Sequence, residues 1–198
     1  MTTIKHQLTI GRRAALLGTA AIAILAAIPA ASHAGPRFGA DLKGVTPEAT
    51  PVKCTNPSAP CTRALINYYD PAHAGKVPFA PKKGKVKRIR LKAGAPGAFR
   101  LQLVRMKGFV FPNVKAKVVR KGPRIRYEGT GSVEAFKVKV PVRRGMWLAM
   151  RTRKTAAVQC EMGAENEAIF APPIKLGGPF KLANDLGDCT HLVQAVMK

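Results

Sequence analysis

Apolar and polar residues alternate one by one through the middle of the chain. The pattern is clear at Ile89-Arg90-Leu91-Lys92 and again at Phe136-Lys137-Val138-Lys139-Val140. Because successive side chains of a β-strand point to opposite faces of the sheet, each segment presents one apolar and one cationic face. The alternation therefore predicts β-strands with a buried side and a charged side.

Short segments of this kind recur between turn signals rich in glycine and proline, such as Lys121-Gly122-Pro123. The predicted strands are 86–92, 99–106, 114–121, 124–127, 133–142, 146–152, 156–161, 168–170 and 191–197. The first two are expected to form a hairpin. The last is apolar on both faces and is expected to be central and buried. No long 3.6-residue pattern follows residue 34, so the fold class is all-β: a single antiparallel β-sandwich, jelly-roll-like.

Residues 1–34 read as an export signal. Lys5, Arg12 and Arg13 precede an apolar run that ends near Ile28, and no acidic residue occurs in the segment. The run is Ala-rich and shorter than the roughly 20 residues of a membrane span. Small residues before Gly35 predict cleavage after Ala34. The paired arginines fit a general secretory signal or a twin-arginine signal, and an uncleaved anchor is a further alternative.

Three regions are expected after this assignment. Residues 1–34 form the signal peptide, residues 35–62 an extended Pro/Gly-rich leader, and residues 63–198 the β-sandwich domain. The 164 residues that remain after cleavage are enough for one domain. The expected location is extracytoplasmic: secreted, at the cell surface or wall-associated.

The four cysteines all lie beyond the signal, an even number that favours two disulfides in an exported protein. Three pairings are possible. We favour Cys54–Cys61, a local clip, and Cys160–Cys189, which would tie two late strands. Neither spacing matches the closely paired ligands of a zinc site, so no metal is expected.

Charge is concentrated in the middle of the chain. Residues 76–154 hold 24 Lys and Arg against Glu128 and Glu134, a net charge of +22, whereas the rest of the mature chain is close to neutral. A confined basic stretch points to a polyanionic surface more than to general solubility.

The basic residues occur in sets spaced by two, so each set lies on one side of its own strand. The candidate binding residues are Arg88, Arg90, Lys92, Lys115, Lys117, Lys137, Lys139, Arg151 and Arg153. Gathered on one continuous face, they would repel one another, and a polyanion would relieve that repulsion. The alternative is a solvated outer face that discourages edge pairing.

Three partner types fit such a face: an anionic cell-wall polymer, an acidic glycan or an anionic membrane surface. Nucleic acid is the least favoured partner, because export removes the opportunity and no motif beyond charge is present. Trp147 shares the parity of Arg151 and Arg153, so we include it as a candidate platform for a sugar, with a core position as the alternative. Tyr68-Tyr69 fits strand-end packing better than a second platform.

The sequence gives little support to an enzyme. Asp185, Asp188 and His191 fall within one short span, and the mature chain has one other histidine, His73. No serine lies in a nucleophile-elbow context, and the spacing does not match a Ca²⁺-binding EF-hand loop. We interpret 184–191 as an acidic turn, and Glu161, Glu165 and Glu167 as a solvated loop. No catalytic residue and no cofactor is expected.

Two segments carry a resemblance to known proteins. Val77-Pro78-Phe79-Ala80-Pro81 is followed by Gly84-Lys85-Val86-Lys87-Arg88-Ile89-Arg90, and Val138-Lys139-Val140-Pro141-Val142-Arg143-Arg144-Gly145 comes later. Over about residues 77–197 the arrangement resembles exported bacterial β-sandwich proteins of jelly-roll or carbohydrate-binding-module type. Those proteins usually have an acidic residue after the glycine, where this chain has Met146. The resemblance implies fold and export, and it names no ligand.

The expected function is that of an exported, non-catalytic binding domain for an anionic surface or acidic polysaccharide. The alternatives are a secreted structural or protein-interaction domain whose charge serves solubility, and an enzyme of unknown chemistry.

Overall fold

A computed structural model describes residues 35–44, 46–47, 52–54, 60–66, 78–108, 112–153, 155–156 and 160–198 of the chain. At residues 52–53, 155–156, 160–166 and 189 it describes the backbone alone. The predicted signal at 1–34, together with Tyr68-Tyr69 and His73, lies outside the described residues.

The described residues form β-strands and no helix. The strands are β1 Arg37–Gly39, β2 Val52–Lys53, β3 Cys61–Leu65, β4 Gly84–Lys92, β5 Gly97–Lys107, β6 Lys115–Tyr127, β7 Val133–Val142, β8 Trp147–Thr152, β9 Thr155–Ala156, β10 Cys160–Phe170, β11 Lys181–Leu182, β12 Asp185–His191 and β13 Val193–Met197. A four-stranded sheet has the order β1-β13-β4-β7, and a seven-stranded sheet has the order β11-β6-β5-β8-β3-β10-β12. Strands β2 and β9 pair separately.

The two larger sheets are antiparallel and pack together as a β-sandwich, which confirms the predicted fold class. Alternation along the strands builds the core between them. From the four-stranded sheet, Ile89 and Leu91 of β4 are fully buried; from the seven-stranded sheet, Leu101 and Leu103 of β5 meet them in the same cluster. Each such side chain contributes about 1.5–3 kcal/mol when it leaves water.

The seven-stranded sheet is partly buried on its second face as well. Strand β8 sends Leu148 and Met150 into the core between the sheets, and Trp147 and Ala149 into a separate cluster on the opposite side. The segment that follows β10 covers this second cluster with Ile174. A strand with both faces buried reads as a continuous apolar run rather than an alternation, as 146–150 does.

Two local predictions are wrong. Strands β4 and β5 do not form a hairpin, because β4 pairs with β7 and β13 whereas β5 pairs with β6 and β8 of the other sheet. Gly122-Pro123 is not a turn either, because β6 runs through it as one strand. The register between β5 and β6 shifts there, and such an irregularity accommodates a proline that has no N–H for the ladder.

The chain ends at the centre of the four-stranded sheet, as predicted. Strand β13 lies between β1 and β4, with Val193, Ala195 and Met197 buried. Its partner β1 comes from the segment predicted as a leader: Arg37–Gly39 pairs with 194–196, and Phe38 is buried in the core. Residues 35–62 therefore supply strands to the folded domain and are more than a leader that precedes it.

The late acidic segments are strands rather than turns or loops. Glu161, Glu165 and Glu167 all lie in β10, and 185–191 forms β12, which pairs with β10 with an irregularity between Met162 and Glu167. The predicted acidic turn and the predicted loop are therefore wrong, and Glu167, which was expected to be solvated, is buried. The sequence shows no alternation of apolar and polar residues in these strands, because a buried position is held by the acidic Glu167 and the position opposite it by Gly187.

The predicted Cys54–Cys61 disulfide is present, with an S–S distance of 2.08 Å. Both cysteines are buried and pack against Ile169 of β10. For the second predicted pair the backbone places Cys160 and Cys189 on adjacent strands, with Cys160 opposite His191. Their side chains lie outside the described part, so that pairing stays a prediction.

Candidate functional site

The outer face of the four-stranded sheet is basic because of the alternation in β4. Ile89 and Leu91 point into the core, so Arg88, Arg90 and Lys92 point outward. The Arg90 guanidinium donates a hydrogen bond of 3.0 Å to the side-chain oxygen of Gln194 on the neighbouring strand β13. This contact orients Arg90 while its strand neighbours stay at the surface.

Strand β7 adds to the same face. Val138 and Val140 are buried, so Lys137 and Lys139 point outward, and Lys137 lies directly opposite Arg88. Lys85 of β4 and Arg37 of β1 occupy further outward positions. We define the basic sheet face by seven residues: Arg37, Lys85, Arg88, Arg90, Lys92, Lys137 and Lys139.

Acidic residues do not occupy any outward position on these four strands. Glu134 of β7 lies at an inward position near the strand end and accepts backbone N–H groups of Glu128 and Gly129 at 3.0 and 2.9 Å. Asp41, half-buried, follows two residues after the end of β1. The Glu134 carboxylate is therefore used at the β6–β7 connection, and the basic sheet face stays cationic.

The sheet sets the spacing of these charges. Alternate residues of one strand lie about 6.6–6.8 Å apart, and neighbouring strands about 4.8 Å apart. Like charges directly opposite each other, such as Arg88 and Lys137, destabilise a sheet. An extended ligand that carries several negative charges would offset this repulsion along its length.

The basic sheet face continues into a cleft at the rim of the sandwich. A cavity of about 330 Å³ is lined by Lys83, Lys85, Arg120 and Arg143, together with apolar neighbours. An adjoining cavity of about 310 Å³ shares Arg120 and Arg143 and adds Arg105 and Lys117. The described lining residues include no carboxylate. We call the two cavities together the basic cleft; Lys85 belongs to both it and the basic sheet face.

The prediction of one continuous basic face is wrong for four of its residues. Lys115 and Lys117 lie on β6 of the seven-stranded sheet, and Lys117 lines the basic cleft. The ammonium groups of Lys107 and Lys117 lie 4.8 and 4.9 Å from the centre of the Phe180 ring. Arg151, the penultimate residue of β8, lies on the side of the sheet that faces away from the four-stranded sheet, and Arg153 is exposed just beyond the strand.

The reason for this split is that alternation assigns a face within a strand but not the sheet to which the strand belongs. Strands β4 and β7 are neighbours, so their outward positions join. Strands β6 and β8 lie in the other sheet. Arg151 of β8 follows Met150, which is buried between the sheets, so Arg151 points away from the four-stranded sheet. On β6 it is Ala116 and Val118 that lie in the second cluster, so Lys115 and Lys117 are on the side that faces the four-stranded sheet, where Lys117 lines the basic cleft.

Trp147 is not a surface platform, so this prediction is wrong. Its side chain is 3% exposed and packs against Phe79, with ring centroids 5.2 Å apart. Trp147 does lie on the same side of β8 as Arg151, but the segment after β10 covers that side where Trp147 lies. A buried indole cannot stack on a glycan.

A buried charged cluster is the feature that the sequence did not predict. Arg63 of β3 donates hydrogen bonds to both carboxylate oxygens of Glu167, at 2.6 and 2.8 Å, and Nε2 of His191 lies 2.5 Å from Oε2 of Glu167. All three side chains are at most 1% exposed. The sequence grouped His191 with Asp185 and Asp188, which are exposed on the same strand.

The cluster keeps Glu167 ionised. Burial by itself would raise the pKa of this carboxyl, but the interactions with His191 and then with Arg63 outweigh it and hold the pKa below the usual range of glutamate. Gly187 lies opposite Glu167 on β12, and any Cβ there would overlap the carboxylate. Since solvent does not reach these side chains, we assign them a structural role.

Within the described part of the chain, no group of three or more His, Cys, Asp and Glu side chains is arranged to hold a metal ion. No helix long and apolar enough to cross a membrane occurs there either. Comparisons with family models, with curated proteins and with solved structures find no match to this chain.

Proposed function

We propose that this protein is an exported, non-catalytic binding protein whose basic sheet face associates with an acidic polymer, such as an acidic polysaccharide or an anionic cell-wall polymer. One observation carries the proposal: the outward positions of four adjacent strands hold seven cations and no acid. Such a surface attracts a polyanion over its whole length and pairs with it at several points.

Export is part of the proposal. It is supported by the basic start and the apolar run of residues 1–34. The Cys54–Cys61 disulfide also supports it, because disulfides are typical of oxidising compartments. The resemblance to exported bacterial sandwich proteins of jelly-roll type agrees with it.

A polymer fits the basic sheet face better than a membrane does. Among the described residues the large exposed apolar side chains are Val133, Leu176 and Leu182, and Val133 alone belongs to the four-stranded sheet. A face without a cluster of apolar side chains lacks the means to insert between lipids. An array of charges spread over adjacent strands suits a chain that lies across them.

Binding to heparin, used as a probe acidic polysaccharide, tests the proposal. If all seven cations take part, the slope of log K against log salt is about −5 to −6, by analogy with counterion release from nucleic acids. The variant Arg88→Glu/Lys137→Glu should lower the affinity at least tenfold. The matched control is Lys43→Glu/Lys175→Glu, which changes the net charge equally at exposed positions outside the basic sheet face.

Equal effects of the two variants would show that net charge alone matters and would refute the role of the basic sheet face. An absence of binding even at low salt would favour the alternative of a secreted structural or protein-interaction domain whose charge serves solubility. An enzyme gains no support from the buried cluster, because His191 is closed off from solvent.

A further inference from the structure

The outer face of the seven-stranded sheet carries a second cationic array, made of arginines in register. Arg100 of β5 lies directly opposite Arg124 of β6 on one side and Arg151 of β8 on the other. All three side chains are exposed. We call Arg124, Arg100 and Arg151 the arginine row.

The neighbours of these residues fix the direction of the arginine row. Phe99 and Leu101 flank Arg100, Ile125 follows Arg124 and Met150 precedes Arg151, and all four are buried in the core between the sheets. Because side chains alternate along a strand, the three arginines point the opposite way, away from the four-stranded sheet. The arginine row and the basic sheet face therefore lie on opposite sides of the sandwich.

The chemistry of the arginine row suits an anionic group. Directly opposite residues of antiparallel strands have Cβ atoms about 4.5–5.5 Å apart, so three like charges are crowded together. Lys121 and Arg126 of β6 and Arg153 after β8 are also exposed beside it, which adds to the positive charge. Guanidinium groups bind sulfate, phosphate and carboxylate in a bidentate manner. Arg100 is further positioned by a long hydrogen bond of 3.4 Å to the carbonyl of Gly122.

The sandwich core separates the two surfaces. Stacked sheets lie about 10 Å apart, and the side chains of each outer face extend further from that core. A straight segment of polymer on one face cannot reach the other, whereas two separate chains can occupy both at once. The arrangement is that of a divalent binder.

We infer that the protein bridges two acidic polysaccharide chains, one held on the basic sheet face and the other on the arginine row. This inference rests on the proposed function and extends it from binding to cross-linking. Two linked sites also raise the overall avidity for a polymer network without any new contact.

A two-step capture assay on the full mature chain tests the inference. Immobilised heparin first retains the protein, and fluorescent heparin is then added at low salt. The wild-type protein should retain the labelled heparin. The variant Arg100→Glu/Arg151→Glu should still be retained in the first step through the basic sheet face but should capture at least tenfold less labelled heparin.

Two comparisons make the assay decisive. The variant Arg88→Glu/Lys137→Glu should show the same loss of second-step capture, and Lys43→Glu/Lys175→Glu should capture as the wild type does. Circular dichroism and thermal unfolding check that each variant folds, as expected for exposed positions. Failure of wild-type protein to bind in the first step would refute the proposed function itself. First-step binding without second-step capture, or undiminished capture by the arginine-row variant, would overturn the bridging alone.

Discussion

Replacing Glu167 with glutamine should strongly destabilise the fold. Glutamine keeps the shape of the side chain but removes the negative charge that faces Arg63, whose side chain is fully buried. Breaking a buried ion pair by removing one partner costs about 3–5 kcal/mol, because the remaining charge stays in a poorly solvated site. For a domain of this size the midpoint of thermal unfolding should fall by about 6–20 °C.

The same substitution should change how stability depends on pH. The folded state holds the pKa of Glu167 below its ordinary value, so the unfolded chain takes up this proton first as the pH falls. The stabilisation is therefore complete above the unfolded value of about 4.3 and is lost as the pH drops through the lower pKa of the folded state. In the Glu167→Gln variant the free energy of unfolding should therefore fall less steeply as the pH is lowered through this range.

Urea unfolding followed at pH 7 and at several values from pH 5 to 3 measures both effects. Glu128→Gln is the matched control, since Glu128 is exposed, and its stability should stay within about 0.5 kcal/mol of the wild type. A double-mutant cycle with Arg63→Met should give less than the sum of the single losses. A free energy of unfolding of Glu167→Gln within 1 kcal/mol of the wild-type value would show that the buried charges of Arg63 and Glu167 do not depend on one another.

Other predictions concern packing. Gly187→Ala should destabilise the fold by about 1–3 kcal/mol in the same assay, because the new Cβ would overlap the buried carboxylate, whereas Gly178→Ala, with only ordinary contacts, should be near neutral. The single tryptophan, Trp147, should emit at short wavelength and resist iodide quenching until the protein unfolds; a red-shifted native emission would contradict its burial. Removing the disulfide with Cys54→Ser/Cys61→Ser should lower the free energy of unfolding by about 2–3 kcal/mol, and an unchanged urea midpoint would contradict this.

The strands of the central stretch could be read from the sequence because each is half-buried. In β4 and β7 the neighbours of every buried residue are solvated, so apolar and polar residues alternate along these strands with a period of two. The same signal fails in β8, where both faces are buried and Trp147 looks equivalent to the exposed Arg151. Trp147 is buried and Arg151 is not because residues after β10, more than twenty positions away in the sequence, cover Trp147.

The buried cluster was hidden for a different reason. Arg63, Glu167 and His191 are polar residues, and polar residues are usually exposed. The sequence therefore predicts a loop at Glu167 and a turn at 184–191, and nothing in it singles out Arg63. Their burial depends on mutual neutralisation, which exists only when β3, β10 and β12 lie side by side. A pairwise compensation between distant residues leaves no local pattern.

By itself, the sequence determined the fold class, the central place of the last strand, the short disulfide and the concentration of positive charge between residues 76 and 154. These features depend on local alternation, on a loop of a few residues and on composition. The tertiary structure alone decided how that charge is divided, because the partners of a strand are chosen by long-range packing. Alternation can say that an arginine points away from the core, but only the pairing of strands says to which side of the molecule it points.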